Sequence, residues 1–362
     1  MPATQRLAYF ISAHGYGHAA RAAAVMAALR QREPALHFEI FSQIPPVFFE
    51  ESLGDGFTYH RLLTDIGVAQ KNSLTEDLPE TVRRLDQFMP FDPAQIQDLA
   101  RRLTNLACRS ILCDIAPLGI AVANVAGLPA VLVENFTWDW IYEGYVSRQA
   151  GLRPHIEYLR QIYETADFRL QTEPVCHYRP ADGIIPTLIS RPFRTPVRET
   201  RQTLELPEQA PAVLITVGGM RGQFEFLEQL KGQPDVYFVI PGASDRLRFE
   251  DNLRLLPHHS GLFHPDLVQA MDAVIGKIGY STLAEVYYAG LPFGYVARRN
   301  WPESKALVEY VEAHLNGLPI SEEQFQAATW LPLLPDLLAL PHLTRQHPNG
   351  ADQAARFILE KL

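Results

Sequence analysis

The sequence predicts an α/β protein made of two Rossmann-like domains with a cleft between them. Short apolar segments alternate with helical segments, which is typical of a parallel, doubly wound sheet. This alternation stops near residue 190, beside a proline-rich segment, and starts again near residue 212. The chain has 362 residues, of which 47% are hydrophobic, so it can bury two cores. We expect domains at 1–190 and 198–350, followed by a last helix at 351–362.

Composition excludes several classes of protein. The formal net charge is −9, and no dense cluster of Lys and Arg is present, which argues against a nucleic-acid partner. Three cysteines are too few for a disulfide framework and indicate a reducing, cytoplasmic location. The N-terminus lacks a signal-peptide pattern. The uncharged segment 115–133 is interrupted by Pro and Gly, so we expect no transmembrane segment.

The first half alternates strands and helices from its beginning. A strand at 7–12 is followed by a glycine turn with Gly15 and Gly17, and then by a helix. Asp92 and Pro93 form a helix start inside 64–107. The remaining strands are expected at 38–42, 57–62, 110–113, 130–133 and 168–171, and the remaining helices at 19–30, 118–126 and 154–165. Four prolines between 180 and 200 indicate a linker between domains.

The second half repeats the same pattern. A strand at 212–217 enters a second glycine turn, Gly218-Gly219. Further strands are expected at 236–240, 253–256, 273–275 and 293–296, and helices at 223–230, 265–271 and 302–314. Neither glycine turn has the full Gly-x-Gly-x-x-Gly dinucleotide motif, so each turn alone is a weak signal.

The segment 276–285 carries the main indication of a ligand. It reads as the end of a strand, a glycine turn at Gly279 and a helix N-terminus, where free N–H groups and the positive helix end favour a phosphate. Lys277 adds a positive charge. Glu285 lies one turn into the helix, where its carboxylate can accept hydrogen bonds from sugar hydroxyls. The alternatives are an ordinary strand-to-helix joint, and a Glu285 that is solvated or paired with an arginine.

His14 and His18 lie in the turn that opens the first helix, and His18 is a candidate general base. Asp114 ends a neighbouring strand and could orient that histidine. Alternatively, His18 bonds the local backbone and Asp114 caps a helix. The aromatic segment 135–142 also follows a strand, where ligands collect in open α/β sheets, but its rings could equally pack in the core.

These motifs resemble those of the GT-B glycosyltransferases. In that family a Gly-His pair opens the first helix and its histidine serves as acceptor base, and Gly17-His18 matches that pair. Asp114 fits the place of the supporting aspartate. The family's donor loop, His-Cys-Gly-x-Asn-Ser-x-x-Glu, aligns with residues 277–285, where Lys277 replaces the phosphate-binding histidine. The resemblance implies that the last helix packs back on the first domain.

A second resemblance extends over nearly the whole chain. The segments 14–21, 135–139 and 276–280 are similar to the transferase-like region that precedes the kinase in plant arabinokinases. No kinase phosphate-binding motif follows here. The Asp-Gln pair that grips the donor sugar in plant transferases falls at Glu303-Ser304, so the donor sugar is left open.

The predicted function is transfer of a sugar from a nucleotide donor, a uridine diphosphate sugar, to an unknown acceptor, with inversion and without a metal or cofactor. The alternatives are a nucleotide-sugar epimerase or hydrolase, and a binding module without turnover. His18 and Asp114 are the expected catalytic residues, and His14, Trp138 and Asp139 are expected on the acceptor side. The expected donor-binding residues are Gly17, Gly218, Gly219, Lys277, Gly279, Ser281, Thr282, Glu285 and Glu303.

Overall fold

The computed structural model of the chain describes residues 5–71, 75–216, 226–345 and 347–362. Two compact units are present: Met1–Ser190 together with His347–Leu362, and Arg191–Gln346. Each unit holds one seven-stranded sheet flanked by helices. The predicted α/β fold class is confirmed.

The sheet of the first unit is entirely parallel and has the order β3-β2-β1-β4-β5-β6-β7. Its strands are β1 Gln5–Ile11, β2 Leu36–Ser42, β3 Phe57–Arg61, β4 Cys108–Asp114, β5 Ala130–Glu134, β6 Phe168–Thr172 and β7 Gly183–Ile185. The helices between them are α1 Tyr16–Arg32, α2 Pro46–Leu53, α3 Leu78–Phe88, α4 Pro93–Asn105, α5 Pro117–Ala126, α6 Trp138–Glu143 and α7 Arg153–Glu164.

The sheet of the second unit has the order β10-β11-β9-β8-β12-β13-β14, in which only the pair β10–β11 is antiparallel among the described strands. Its strands are β8 Ala212–Thr216, β9 Tyr237–Pro241, β10 Arg248–Glu250, β11 Leu253–Leu256, β12 Ala273–Lys277, β13 Phe293–Val296 and β14 Gly317–Pro319. Its helices are α8 Val197–Thr203, α9 Leu227–Lys231, α10 His264–Gln269, α11 Tyr280–Ala289, α12 Ser304–His314, α13 Glu322–Ala327 and α14 Leu334–Ala339.

The last helix, α15 Gly350–Lys361, belongs to the first unit and packs against α1. Helix α1 is rich in alanine, and small side chains allow two helix backbones to approach closely. On α15 the buried residues Ala354, Ala355 and Ile358 join the core of the first unit. The side chain of Asn349 accepts a hydrogen bond from the Ala351 N–H and starts the helix.

Local sequence signals account for several element boundaries. Asp92 accepts a hydrogen bond from the Ala94 N–H at 2.9 Å, and α4 begins at Pro93, where the sequence predicts a helix start. Gly15 lies at φ 78°, in the left-handed region that favours glycine, directly before α1. The strands β7 and β14, three residues each, were not predicted from the sequence. Among the residues that the structure describes, no helix is long and apolar enough to cross a membrane.

Candidate active site

A first candidate site lies at the carboxyl ends of β1 and β4. Helix α1 begins shortly after β1, and its first turns carry His18 and Arg21 on one face because residues three apart are neighbours on a helix. Asp114 is the last residue of β4, the strand beside β1. All three side chains are buried, and Asp114 has no exposed surface.

The structure brings the predicted pair His18 and Asp114 together. Nδ1 of His18 lies 2.8 Å from Oδ1 of Asp114. Since a carboxylate only accepts, the tautomer that fits has the proton on Nδ1 and an unprotonated Nε2. The imidazole can therefore accept a proton on Nε2 while Asp114 fixes its orientation.

Arg21 is a central residue of this site that the sequence analysis did not single out. Its Nε and Nη2 atoms donate to the two oxygens of Asp114, at 2.8 and 2.6 Å. Its Nη1 donates to Asn135 at 2.8 Å and to Thr172 at 3.2 Å. Arg21 thereby ties α1 to the ends of three strands. Burial alone would raise the pKa of Asp114, but Arg21 and then His18 outweigh it, so this pKa lies below its usual value.

Asp65 is a second buried carboxyl group near His18, and it too was missed from the sequence. It follows β3 in a loop, and Ser12 Oγ donates to its Oδ1 at 3.1 Å. The pKa of Asp65 is raised to about 6 because burial disfavours its charged form, and the neighbouring His18 and the hydrogen bond from Ser12 only partly oppose this. The sequence gives little indication that Asp65 belongs to a site, since Thr64-Asp65 is typical of an ordinary loop.

The aromatic segment surrounds the histidines. The ring of His14 meets Trp138 edge-on with 5.1 Å between centroids, and the ring of His18 meets Phe136 edge-on at 5.6 Å. Trp138 is 1% exposed, so it packs as a core residue beside both histidines. Asp139 is not directed toward them: its Oδ2 accepts from Arg179 at 2.9 Å. Neighbouring positions on a helix point to different sides, which separates Asp139 from Trp138.

A second candidate site lies in the other unit, where β12 leads into α11. Gly279 directly precedes α11 and has no side chain to cap it, and the positive end of a helix favours a negatively charged ligand. Ser281 and Thr282 lie in the first turn, as predicted. Gly276 is required for a different reason: a Cβ there would lie 1.9 Å from the carbonyl oxygen of Thr216 on β8.

Lys277 ends β12 and lies in a charged cluster with Arg298 and Glu303. The pKa of Lys277 is lowered to about 7, first by burial and then by the nearby positive charge of Arg298, while Glu303 opposes both. The guanidinium carbon of Arg298 lies 3.7 Å from the ring centroid of Trp301. The indole N–H of Trp301 donates to Oε2 of Glu303 at 3.0 Å. Glu303, expected at the donor sugar, is thus held in a fixed orientation.

Glu285 is 2% exposed and paired within its own unit. Its Oε1 accepts from Nη2 of Arg191 at 2.9 Å, and its Oε2 lies 2.6 Å from Nδ1 of His264. Burial alone would raise the pKa of Glu285, but His264 and Arg191 outweigh burial and lower it. The sequence left open whether Glu285 pairs with an arginine, and Arg191 is such a partner. That Glu285 also binds a ribose stays a prediction.

Two predicted donor residues, Gly218 and Gly219, lie outside the described residues. They follow β8, whose last residue Thr216 is the register partner of Gly276 in β12. Gly17 lies in the first turn of α1 beside His18, and its contact with a donor stays a prediction.

Comparisons with known proteins agree with this architecture. No family model matches the chain. The chain is 26% identical over 359 residues to the L-arabinokinase of Arabidopsis thaliana, covering 98% of this chain and 34% of that protein. The chain therefore spans about a third of the length of this relative.

Solved structures with similar folds are glycosyltransferases. The glycotransferase of kitacinnamycin matches with a TM-score of 0.64 and 14% identity, covering 100% of both chains. A UDP-glucosyltransferase from Polygonum tinctorium, capable of glucosylating indoxyl, matches with a TM-score of 0.61 and 13% identity, covering 98% of both chains. The chain has the GT-B fold. The resemblance found in the sequence, to GT-B glycosyltransferases and to a plant arabinokinase, is confirmed.

Proposed function

We propose that this chain is a glycosyltransferase that moves a sugar from a uridine diphosphate donor to an acceptor hydroxyl. The observation that carries the proposal is the pair His18 and Asp114, bonded at 2.8 Å at the end of β4 in a GT-B fold. Nε2 of His18 takes the proton of the acceptor hydroxyl, and Asp114 holds the ring through Nδ1. The acceptor oxygen attacks the anomeric carbon opposite the bond to the diphosphate, so the configuration inverts.

The donor side of the proposal rests on the second unit. The bond that breaks leaves negative charge on the diphosphate, and groups that stabilise charge as it develops lower the barrier. The N-terminus of α11 and Lys277 offer N–H groups and a positive charge for this purpose. With those groups present, the proposed mechanism uses neither a metal ion nor a cofactor, and the nucleotide sugar is a substrate.

The test combines binding with turnover. Thermal-shift screening of nucleoside diphosphates and their sugars first finds the donor, and isothermal titration then gives its affinity. Release of uridine diphosphate is next followed with a panel of hydroxyl acceptors. We expect His18→Ala to bind the donor with nearly unchanged affinity and to lose roughly 10²–10⁴-fold in turnover, the usual range for a lost general base.

His14→Ala is the matched comparison, since His14 opens the same helix and contacts the same indole. If His18→Ala keeps full activity and His14→Ala loses turnover, the general base is His14 rather than His18. Conversion of the donor to an epimer or a free sugar without any acceptor would replace transfer by epimerisation or hydrolysis. If the protein binds the donor but shows no turnover with any acceptor, it is a nucleotide-sugar-binding module rather than an enzyme.

A further inference from the structure

Asp65 is a buried carboxyl group near His18 that the proposed mechanism does not use. It lies in the loop after β3 and is 5% exposed. Ser12 Oγ donates to its Oδ1 at 3.1 Å, whereas its Oδ2 is buried and has no hydrogen-bond partner among the described residues. Buried carboxylates are normally paired, because burial disfavours their charged form. A half-satisfied carboxyl group at this depth therefore calls for an explanation.

The charges around His18 indicate what such a carboxylate can do. Asp114 lies 2.8 Å from Nδ1 of His18, but both of its oxygens also accept from Arg21. Nη2 of Arg21 lies 3.3 Å from the same Nδ1. The charges of Asp114 and Arg21 thus largely cancel at the imidazole, and an imidazolium formed there gains little net stabilisation from them. The carboxylate of Asp65 is a negative charge that this arginine does not balance.

The other titratable groups around Asp65 leave His18 as its main charged partner. Among the charged groups that act on Asp65, His18 has the largest effect, ahead of Asp114. Tyr142 and Tyr163 each donate to a backbone carbonyl at 2.7 Å, and burial raises the pKa of both well above its usual value, so both stay neutral. The ring of His14 meets the Trp138 ring edge-on.

We propose that Asp65 is a positioning residue whose carboxylate is the counter-ion of the His18 imidazolium. In the transfer step Nε2 of His18 takes the acceptor proton, the oxygen lone pair forms the bond to the anomeric carbon, and the bond from that carbon to the diphosphate breaks. Asp65 touches neither substrate and acts by stabilising the positive charge that His18 gains. This inference rests on the proposed function, because it concerns the same histidine.

NMR spectroscopy tests the electrostatic part of the inference without any substrate. Protein isotopically labelled at its histidine rings is titrated between about pH 5 and 9, and His18→Gln identifies the His18 signal. Loss of a nearby negative charge disfavours the imidazolium. The midpoint of the His18 titration should therefore move to lower pH in Asp65→Asn, by about 1 unit.

Turnover then links this shift to catalysis. With saturating donor, we expect kcat of Asp65→Asn to fall by roughly 3–10-fold, because a weaker base removes the acceptor proton more slowly. The acid limb of the pH profile of kcat/KM should move to lower pH, in the same direction as the NMR midpoint. The KM for the acceptor should stay unchanged, since Asp65 does not touch it. A merely structural role would lower kcat without moving either midpoint.

Glu39→Gln is the matched control. Glu39 is a carboxylate in the same unit with no exposed surface, but its partners are Arg6 and His60 rather than His18. We expect this variant to leave the titration midpoint of His18 in place, although it also removes a buried negative charge.

Ser12→Ala is a second variant that keeps the charge of Asp65 but removes the hydrogen bond that stabilises it. Asp65 then takes up its proton at higher pH, so the His18 midpoint should move in the same direction as in Asp65→Asn, by a smaller amount. The pKa of Asp65 is raised to about 6, so its charged form costs stability as the pH rises above 3.8, and Asp65→Asn removes this cost. We therefore expect Asp65→Asn to fold.

Three results would overturn the inference. Equal His18 midpoints in the wild type and in Asp65→Asn would show that Asp65 is not the counter-ion. A raised KM for the acceptor with a level kcat would make Asp65 an acceptor contact instead. A shift in Glu39→Gln as large as that in Asp65→Asn would assign the effect to net charge. A shifted midpoint in a protein that turns over no donor would overturn the proposed function and the catalytic role of Asp65, and would leave the electrostatic pairing with His18 standing.

Discussion

Asp114 makes hydrogen bonds with both Arg21 and His18, and these two contacts determine how it can act on His18. Arg21 contacts both of its oxygens, so the negative charge of Asp114 is already balanced by a permanent positive charge. Asp114 therefore acts on His18 mainly by fixing the Nδ1 tautomer and the ring orientation. Removal of the carboxylate would also leave Arg21 buried without its partner, which is costly. Turnover of Asp114→Asn must accordingly be compared with its free energy of unfolding.

If Lys277 pairs with the donor diphosphate as proposed, donor binding depends on pH in a defined direction. Its pKa in the free protein is about 7, below the usual value, because it is buried and lies near Arg298. A bound diphosphate favours the protonated amine and raises this pKa, so binding takes up a proton above pH 7. We expect the affinity for uridine diphosphate to fall between pH 7 and 9, by up to roughly tenfold per unit. Titration calorimetry between pH 7 and 9 measures this change in affinity. The terminal phosphate has a pKa of about 6, so it is already ionised over this range and does not contribute to the slope.

Two variants isolate the contribution of this amine. Lys277→Arg keeps a charge that does not titrate, so its affinity should stay level between pH 7 and 9. Lys277→Met should bind more weakly and also show no slope. A slope that persists in Lys277→Arg would assign the pH dependence to another group, and a level wild-type profile would mean that Lys277 does not pair with the diphosphate.

At the residue scale, the sequence locates candidate side chains best where they lie next to the boundary of a helix or strand. His18 follows a glycine turn and Asp114 ends a strand, so their positions could be predicted from the chain on either side. Arg21, Asp65 and Arg191 gave no such signal, because their partners lie far away in the sequence. Arg191 was placed in a linker, and only the folded chain brings it to Glu285, 94 residues away.

At the scale of one element, the close contact between β12 and β8 accounts for Gly276. A Cβ at this position would lie 1.9 Å from the carbonyl oxygen of Thr216, a backbone atom that cannot move without shifting its strand. We expect Gly276→Ala to lower the free energy of unfolding by about 3 kcal/mol, at the upper end of the usual cost of overpacking. Urea denaturation of the purified variant measures the change.

Gly279→Ala is the control for this prediction. A Cβ at Gly279 would meet nothing within 4 Å, and its φ of −143° suits any residue. The expected loss is about 1 kcal/mol or less, the difference between Gly and Ala at a helix N-cap. Equal destabilisation by the two substitutions would mean that the strand contact at Gly276 is not what requires glycine.

Element prediction from the sequence depended on length and on composition. Strands flanked by clear helices, such as β4 and β13, could be located because their apolar residues stand out. The edge strands β7 and β14 could not, since each has three residues and lies beside prolines or ends in one. An edge strand bonds to only one neighbour, so tertiary pairing rather than its own sequence determines it.

At the scale of the whole molecule, each unit has its own hydrophobic core. The core of the first unit lies between its sheet and the helices α1 and α15, and the core of the second unit includes Trp330 and Phe238. The restart of the α/β pattern near residue 212 made two sheets predictable. The return of α15 came only from the resemblance, because no local pattern in 351–362 says which helix it will contact.

The contribution of α15 to the first unit can be measured through Ile358. This side chain has no exposed surface and lies in the core shared with α1, while Asn349 fixes the start of the helix by accepting from Ser190 N–H and donating to Ser190 O. Loss of a buried isoleucine side chain removes its burial and leaves a cavity. We expect Ile358→Ala to lower the free energy of unfolding by about 2–5 kcal/mol.

Hydrogen–deuterium exchange with peptide resolution locates this effect. Peptides from β1, α1 and α15 should lose protection in Ile358→Ala, because they share one core. Peptides from β8 and β12 should keep theirs, since those strands belong to the other core. Glu360→Ala, which alters an exposed residue on the same helix, should change neither set. Equal loss of protection in both sets of peptides would show that the two cores unfold as one cooperative unit. Unchanged protection in β1 and α1 would show that α15 adds little to the stability of the first core.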